Sequence, residues 1–429
     1  MTTTIFAVSS GRPPAAIAVL RLSGGSAIAA AGVLAGKLPP PRRAGVRDLR
    51  DPGDGRLLDR ALVLVFPGPA TATGEDLVEL HLHGGRAVVD AVERVLAAQP
   101  GLRAALPGEF TRRALAHGRI DLTEAEGLAD LLSAETEAQR RIAIDTSGGR
   151  LRRQVADWTA TATRLSATVE AVLDHGDEDD VDAGDAVIDG VRHDAADLAR
   201  AIDTVLAAPP VERLRDGIRV VLAGPPNAGK STLLNTLIGR EAAIVSPIAG
   251  TTRDVIETPV TRGGIAWLFL DTAGLREATD DAIEAIGIDR AARSIAAADI
   301  LVWLGDDTPP DHAHVIALCP RADLPGRPGG AGRLAVSAHS GEGIDALWTA
   351  LADAARALLP AIDDLALNRR QASHAAHAAA ALHRAAAQHD PLLIAEELRY
   401  VLNGFAALTG QQATEAMLDA LFGRFCIGK

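Results

Sequence analysis

The stretch IRVVLAGPPNAGKSTLLNTLIG, residues 218–239, decides the fold of the middle of this chain. An apolar, β-branched run leads into Gly224-x-x-x-x-Gly229-Lys230-Ser231, and an amphipathic helical pattern follows directly. In such a loop the glycines let backbone N–H groups surround phosphates at a helix N-terminus. The lysine reaches the terminal phosphates, and the serine hydroxyl can bind Mg²⁺. We therefore expect a nucleotide-binding loop between a buried strand and a helix.

Short apolar runs and helical stretches alternate on both sides of this loop. The alternation predicts a doubly wound α/β domain with a mostly parallel sheet over residues 214–360. The predicted strands are Ile218–Ala223, Ile265–Leu270, Ile300–Leu304, Val315–Leu318 and Leu334–Val336.

Three further motifs follow the loop in the order and spacing of a GTPase. Residues 250–254, GTTRD, supply Thr252 for Mg²⁺ and the γ-phosphate. Residues 271–274, DTAG, come directly after a predicted strand and place the Asp271 carboxylate near the metal. Ser337-Ala338 ends a later strand and resembles the guanine-contacting loop of GTPases. The ordered set predicts GTP binding and hydrolysis.

The base-specificity loop departs from the usual Asn-Lys-x-Asp pattern, because this chain has Pro320-Arg321-Ala322-Asp323. Asp323 can still accept hydrogen bonds from the guanine edge, and Arg321 can cover the base face. Pro320 has no side-chain amide, so we expect weaker guanine selectivity. Leu275 follows the DTAG motif where many GTPases have a water-positioning Gln. Hydrolysis therefore needs another group to orient water and another positive charge.

The flanking segments predict two further domains, so that the fold class is α/β plus all-α. Residues 1–118 form a small α/β unit, with strands at 15–22, 61–66 and 76–83 and a helix at 87–98. Residues 119–213 and 361–429 form a discontinuous helical bundle that the 214–360 domain interrupts. Long helices are expected at 361–387 and 391–421, and Thr123 with Glu126 suggests a capping box.

Length, charge and cysteine content narrow the class of protein. The 429 residues suit two or three domains. No apolar run of about 18 residues occurs, and the first residues lack the features of a secretory signal, so a cytoplasmic location is expected. The two cysteines, Cys319 and Cys426, cannot build a disulfide framework. A formal charge of −13 means that nucleic-acid contacts need a local patch or a partner. Lysine occurs only at Lys37, Lys230 and Lys429, so the last two are candidates for special roles.

These motifs resemble those of the bacterial tRNA-modification GTPases, the MnmE (TrmE) family. The resemblance rests on residues 224–231, 249–254 (AGTTRD), 271–277 (DTAGLRE) and the final Phe425-Cys426-Ile427-Gly428-Lys429. It extends to residues 66–69 (FPGP), 73–76 (TGED) and 107–110 (PGEF), and therefore covers the whole chain.

The resemblance implies three domains: an N-terminal folate-binding and dimerising domain, a discontinuous helical domain and an inserted GTPase domain. It implies a homodimer that works with a separate FAD-dependent subunit, MnmG. Together they would add an aminomethyl or carboxymethylaminomethyl group to carbon 5 of the wobble uridine of certain tRNAs, with a tetrahydrofolate derivative as one-carbon donor. The partner would then supply most of the tRNA-binding surface.

The motifs and the resemblance together assign site residues. For GTP they are Asn227, Ala228, Gly229, Lys230, Ser231, Thr232, Ser246, Pro247, Ile248, Ala249, Gly250, Thr251, Thr252, Asp271, Thr272, Ala273, Gly274, Asp323, Ser337 and Ala338. Mg²⁺ would be held by Ser231 and Thr252. The resemblance alone implies that Asn227, Ser246, Ile248 and Thr251 bind K⁺ and that Glu284 orients the attacking water. It also implies that folate contacts Arg21, Glu79, Arg119 and Lys429, and that Cys426 is the family's terminal cysteine.

Two alternatives remain open at this point. One is a ribosome-associated regulatory GTPase whose extra domains bind RNA without modification chemistry; it predicts a basic accessory domain, whereas this helical region is acidic. The other is a GTPase that has lost nucleotide selectivity through Pro320 and serves as a structural partner of MnmG.

Overall fold

The computed structural model describes residues 3–174, 181–239, 257–271, 292–324, 332–361, 364–423 and 425–428, with the backbone alone at 181–184 and 271. The chain divides into two compact units. Unit 1 comprises Met1–Ala129, Thr146–Arg153 and Ala406–Lys429, and unit 2 comprises Asp130–Asp145 and Gln154–Phe405. None of the helices described has the length and apolar character needed to span a membrane.

Within the described ranges, twelve strands are numbered in chain order. They are β1 Thr4–Val8, β2 Ile17–Ser23, β3 Gly45–Arg50, β4 Leu57–Phe66, β5 Leu77–His83, β6 Leu102–Ala104, β7 Ile218–Ala223, β8 Glu257–Arg262, β9 Ile265–Asp271, β10 Ile300–Trp303, β11 Val315–Pro320 and β12 Leu334–Val336.

The helices within the described ranges are numbered in the same way. They are α1 Ala27–Ala35, α2 Arg86–Ala97, α3 Glu109–Ala116, α4 Leu122–Ser133, α5 Glu137–Ser147, α6 Arg150–Asp174, α7 Val181–Leu206, α8 Val211–Arg215, α9 Lys230–Gly239, α10 Ile344–Leu358, α11 Arg369–Ala387, α12 Pro391–Thr409 and α13 Glu415–Phe422.

Unit 1 is built on a six-stranded sheet in the order β3-β4-β5-β2-β1-β6. Its pairs are antiparallel except β1 with β6, which is parallel. In β5, Leu80 and Leu82 are buried against a core that α1 and α2 share. Glu79 and His81 alternate with them and are only partly buried. Each fully buried leucine contributes about 1.5–3 kcal/mol, so this face decides the register of the sheet.

Unit 2 contains a second six-stranded sheet in the order β12-β11-β10-β7-β9-β8. All its pairs are parallel except β8 with β9. The central strand β7 is apolar and nearly all buried, as a strand covered on both faces must be. The predicted mostly parallel sheet is confirmed. Because the strands are parallel, the carboxyl ends of β7, β9, β11 and β12 lie along one edge.

The long helices of unit 2 pack through apolar stripes with helical spacing. In α12, Ile394, Leu398, Val401 and Phe405 are buried. The ring of Phe405 lies 6.0 Å from that of Trp158 in α6. The combination of α/β and all-α structure agrees with the sequence analysis.

Strands β1, β3, β6 and β8 were not predicted from the sequence. Strand β6 has only three residues, and β3 carries charged residues on its exposed face. Strand β8 contains Pro259, which argues against a central strand but is acceptable in the edge strand that β8 is.

Two helix limits and one capping box also differ from the prediction. Helix α11 begins at Arg369 rather than residue 361, because Asn368 and Gln371 form a capping box there. The predicted helix 391–421 is broken at Gly410, which has a φ of 89°. The capping box of α4 joins Asp121 and Glu124 rather than Thr123 and Glu126: the Glu124 N–H donates to Asp121 Oδ1 at 2.9 Å, and the Asp121 N–H donates to Glu124 Oε2 at 2.8 Å.

Candidate functional site

The GTPase motifs that fall within the described residues lie at the carboxyl edge of the second sheet. Strand β7 leads into Gly224, and its Leu222 is the register partner of Asp271 at the end of β9. Pro320 at the end of β11 is the register partner of Val336, which precedes Ser337. Ligands of open α/β sheets bind outside the carboxyl ends of the strands, so this edge is the candidate nucleotide site.

The phosphate loop adopts backbone conformations that favour glycine. Gly224 and Gly229 have φ values of 148° and 96°, and Asn227 between them has a φ of 60°. A Cβ atom at position 224 would lie 3.1 Å from the carbonyl carbon of Leu304, so a side chain there would be tight as well as strained. The loop is therefore shaped by its glycines as expected.

Lys230 begins helix α9 and its ammonium group lies against the loop. Its Nζ donates to the carbonyl oxygens of Gly224 at 3.0 Å and Pro225 at 2.9 Å. The residue is only 9% exposed. A buried cation at a helix N-terminus, with Ser231 next to it, suits the phosphates of a nucleotide and an associated Mg²⁺ ion.

A cavity of about 340 Å³ adjoins the loop. This volume is in the range of small-molecule sites. Its lining comprises Ala228, Gly229, Thr232, Leu233, Leu304, Pro320, Arg321, Asp323, Leu324, Val336, Ser337, Ala338 and His339. The structure thus brings together the predicted phosphate-loop residues, Asp323 and Ser337-Ala338.

Asp323 is exposed at the cavity, and Ser337 holds it in its ionised form. A hydrogen bond from the Ser337 side chain lowers the pKa of the Asp323 carboxyl, and His339 and Arg321 add smaller favourable interactions. Ser337 itself is fully buried, and its Oγ also accepts the Ser340 N–H at 3.1 Å. Asp323 therefore presents an acceptor for paired N–H groups, such as those of guanine.

Arg321 connects the base-specificity loop to the phosphate loop. It has a φ of 60°, and its guanidinium donates to the carbonyl oxygen of Asn227. The two residues are 94 positions apart in the sequence, and no local sequence pattern predicts their contact.

Several predicted site residues lie outside the described ranges. They are Ser246, Pro247, Ile248, Ala249, Gly250, Thr251, Thr252, Thr272, Ala273, Gly274, Glu284 and Lys429. Of the predicted Mg²⁺ ligands, only Ser231 is described, and of the K⁺ ligands only Asn227.

In unit 1, the predicted folate residues Arg21 and Glu79 form an ion pair across β2 and β5. The two are direct register partners. Arg21 Nε and Nη2 donate to Glu79 Oε1 at 3.1 and 2.8 Å, and His81 Nε2 lies 3.4 Å from Glu79 Oε2. Both side chains remain partly exposed, at 27% and 18%. Arg119 is also part of unit 1, and its Nε donates to the Thr71 carbonyl oxygen at 3.0 Å.

A polar network that the sequence did not predict lies at the start of β1. Glu75 Oε2 accepts from Ser23 Oγ at 2.9 Å and from Arg113 Nη1 at 2.8 Å. Arg113 Nη2 also donates to Glu109 Oε1 at 3.1 Å and to the Thr3 carbonyl oxygen at 2.7 Å. Glu75 belongs to the TGED motif and Glu109 to the PGEF motif. The glutamate that both motifs contain was the feature of the sequence from which this network could have been predicted.

Comparison with known proteins places the chain among tRNA modification GTPases. It matches the MnmE helical domain over residues 122–426 and the N-terminus of the GTP-binding protein TrmE over residues 4–119. It is 56% identical over 428 residues to the tRNA modification GTPase MnmE of Erythrobacter litoralis, covering 99% of this chain and 100% of the relative. The MnmE of Novosphingobium aromaticivorans is 54% identical over 441 residues and is covered completely in both chains. Among solved structures, the G domain of the T. maritima FeoB iron transporter covers 32% of this chain and 98% of its own at 22% identity, with a TM-score of 0.25, which is too low to support an argument.

Proposed function

The chain belongs to the MnmE family of tRNA modification GTPases, and from this premise we propose the reaction that its GTP hydrolysis serves. With an FAD-dependent partner, MnmG, it adds an aminomethyl or carboxymethylaminomethyl group to carbon 5 of the wobble uridine of certain tRNAs. The one-carbon unit comes from a tetrahydrofolate derivative. The observation that carries this proposal is the match to the MnmE family over the whole chain, and the partly exposed Arg21–Glu79 pair in unit 1 supports a second binding site outside the GTPase motifs.

At the nucleotide site, we assign the phosphates to Lys230 and the N-terminus of α9, and guanine to Asp323. Ser231 and Thr252 would hold Mg²⁺, which supplies charge neutralisation at the β- and γ-phosphates when bound. Asp323 is an acceptor-only group because an aspartate carboxyl is ionised at neutral pH, and the hydrogen bond from Ser337 lowers its pKa further. Such a carboxylate can pair with two guanine N–H groups but not with the acceptor nitrogen at the equivalent edge of adenine.

For hydrolysis, we assign Glu284 as the group that orients water and Asn227, Ser246, Ile248 and Thr251 as ligands of K⁺. The ion would supply positive charge beside the phosphates, and Leu275 in place of Gln makes such a source necessary.

At the folate site, we assign Arg21, Glu79, Arg119 and Lys429 as contacts and Cys426 as a neighbouring functional group. An arginine can bind a carboxylate of the cofactor, and a glutamate can accept ring N–H groups. The supporting observation is that Arg21 and Glu79 are paired at a fixed register yet remain open to solvent.

The assembly follows from the same proposal. We expect a homodimer, a complex with MnmG in the cytoplasm, and tRNA contacts made through that complex because this chain carries a charge of −13. The domains would be 1–118 for folate binding and dimerisation, 214–360 for GTP, and 119–213 with 361–429 for the helical bundle.

The proposal is tested in cells that lack the gene. Nucleosides from their tRNA are analysed by mass spectrometry after complementation with the wild-type chain, Arg21→Ala or a control, Arg200→Ala, at an exposed position of α7. Wild type and Arg200→Ala should restore the C5-modified wobble uridine, and Arg21→Ala should not. If the modified nucleoside is present without the gene, a regulatory GTPase without modification chemistry is the better assignment.

A further inference from the structure

Residues 425–428, here called the docked segment, are fixed to unit 1 at two points. Phe425 is buried, and its ring lies 5.7 Å from that of Phe422. At the other end, Ser9 Oγ donates to the Gly428 carbonyl oxygen at 2.7 Å. Between these points Cys426 is exposed and Ile427 is 59% exposed. The segment is therefore anchored at both ends with its middle residues facing solvent.

Gly428 lies beside β1, on the edge that pairs with β6, at a position beyond the end of β6. The Phe6 carbonyl oxygen accepts the Ala105 N–H at 2.9 Å on the β6 side, just beyond the last residue of β6. Carbonyl groups two residues apart in a strand point to the same edge, so the Val8 carbonyl faces the edge that β6 no longer covers. A Cβ atom at position 428 would lie 2.0 Å from the Val8 oxygen. With a φ of 93°, only glycine is compatible with this close approach.

The opposite edge of β1 carries the candidate folate pair. Ala7 is the register partner of Arg21, and Val8 is the partner of Leu20 in the same β1–β2 ladder. Neighbouring strands are about 4.8 Å apart, so the backbone at Gly428 is about two strand spacings, roughly 10 Å, from that of Arg21. A small ligand held by Arg21 and Glu79 is therefore close to the docked segment.

We propose that Ser9 is a positioning residue that, together with Gly428, clasps the docked segment onto β1 and so holds Cys426 beside the Arg21–Glu79 pair. This inference rests on the function proposed above, because the clasp matters only if chemistry takes place at that pair. The clasp requires the hydroxyl of Ser9 as a donor and the absence of a side chain at position 428.

Three variants of the full-length protein test the clasp. Ser9→Ala removes the donor, Ser9→Thr retains a hydroxyl, and Gly428→Ala introduces the Cβ atom that meets Val8. The matched control is Ser10→Ala, because Ser10 is the neighbouring serine and its Oγ accepts the Val19 N–H at 3.0 Å. Hydrogen exchange of the peptide that contains the docked segment, GTP hydrolysis and wobble-uridine modification are measured for each protein.

Ser9→Ala should exchange about fivefold faster in the docked segment, as expected for the loss of one hydrogen bond, and Gly428→Ala faster still. Both should lose uridine modification while GTP hydrolysis is retained, and Ser9→Thr and Ser10→Ala should behave as wild type. Unchanged exchange in Ser9→Ala and Gly428→Ala would show that there is no clasp. Faster exchange with full modification would leave the clasp a purely structural contact and overturn the positioning role. If the wild-type protein itself produces no modified uridine, the proposed function is wrong, while the exchange data still decide whether Ser9 holds the segment.

Discussion

In the proposed nucleotide site, Asp323 and Ser337 form the part where we expect a single side chain to decide base specificity. The loop lacks the amide that Asn would provide at Pro320, so the carboxylate is the remaining side chain suited to the N–H edge of guanine. Ser337 lowers the pKa of Asp323, and the carboxylate stays ionised as the pH falls below the range in which an ordinary aspartate would take up a proton. Guanine recognition by this residue should therefore be independent of pH between about 5 and 8.

Replacing the Asp323 carboxylate, an acceptor, by the Asn amide, which has a donor, should change the base preference from guanine to xanthine. In Asp323→Asn we expect GTP affinity to fall about 10- to 100-fold, because the amide N–H group would face the guanine N–H groups that the carboxylate accepts. Affinity for xanthosine triphosphate should rise, since xanthine offers an oxygen that the new amide can bind. Competition against a fluorescent guanine nucleotide measures both changes. Asp353→Asn, an exposed substitution on α10, is the control, and an unaltered preference for GTP in Asp323→Asn would remove Asp323 from the base site.

The first turn of α4 shows how one helix cap limits stability. Asp121 Oδ1 accepts hydrogen bonds from Thr123 Oγ1 at 2.7 Å and from the Glu124 N–H at 2.9 Å. Among the residues that the structure describes, its buried Oδ2 has no hydrogen-bond partner. Burial raises the pKa of the Asp121 carboxyl above its usual 3.8. The folded protein therefore binds this proton more tightly than the unfolded chain, and its stability decreases as the pH rises through the raised pKa.

The Asp121→Asn variant should be more stable than wild type at pH 7, by about 1 kcal/mol. The amide oxygen can keep both cap bonds, and an uncharged group replaces the buried carboxylate. The advantage should shrink as the pH falls towards 4, where the native aspartate becomes protonated. Urea unfolding at both pH values, with Asp189→Asn at an exposed position as control, measures the difference. A variant that is less stable than wild type at pH 7 contradicts this account.

Helix α8 forms hydrogen bonds with residues that come before it and after it in the sequence of unit 2. The Arg369 N–H donates to Glu212 Oε1 at 2.7 Å, and Gln139 Nε2 donates to the Leu214 carbonyl oxygen at 2.9 Å. Arg213 Nε donates to Asp299 Oδ1 at 2.8 Å, and Asp299 Oδ2 accepts the Arg219 N–H of β7 at 3.0 Å. This five-residue helix therefore joins α5 and α11 to the nucleotide-binding sheet.

Replacing Arg213 with Ala should destabilise unit 2 by about 1–3 kcal/mol, because it leaves a mostly buried carboxylate without its cation. The Asp299 side chain is only 13% exposed. The comparison variant, Arg200→Ala, breaks an ion pair whose partners are 68% and 51% exposed, and it should cost less than about 1 kcal/mol. Urea midpoints of the two variants provide the test, and equal midpoints would show that the α8 contact contributes no more than a surface pair.

Local signals in the sequence predicted the elements around the nucleotide site, whereas distant contacts could not be predicted. The phosphate loop was found because its glycines, lysine and strand–helix context lie within 22 residues of each other. The cap at Asn368 was missed because the Ala-rich pattern continues through it, although the Asn–Gln spacing was visible. The bond from Arg321 to Asn227 spans 94 residues, and that from Ser9 to Gly428 spans 419. No periodicity or short motif carries information about pairs so far apart, which only the folded topology brings together.

For the molecule as a whole, we predict that the intact protein hydrolyses GTP faster in K⁺ than in Na⁺. The chain lacks a Gln after the DTAG motif and needs an additional positive charge at the phosphates. We expect a decrease of about tenfold or more when Na⁺ replaces K⁺ at constant ionic strength, which corresponds to about 1.4 kcal/mol in the barrier. Initial rates in the two salts measure it. Equal rates would exclude a monovalent-ion requirement, and retained turnover in Glu284→Ala would remove Glu284 from the mechanism.

The placement of residues 406–428 in unit 1 has a consequence for biosynthesis. Most of unit 1 emerges from the ribosome before unit 2, yet Phe422 and Phe425, which complete a core cluster with Ala125, are made after unit 2. At about 5–20 residues per second, the intervening stretch takes on the order of 10–60 s to translate. During that interval the first-made part of unit 1 exposes apolar surface that its own final residues will cover. A nascent chain stalled before residue 415 should therefore bind chaperones and be cleaved by proteases at α3, and release from both should coincide with the synthesis of residues 415–425.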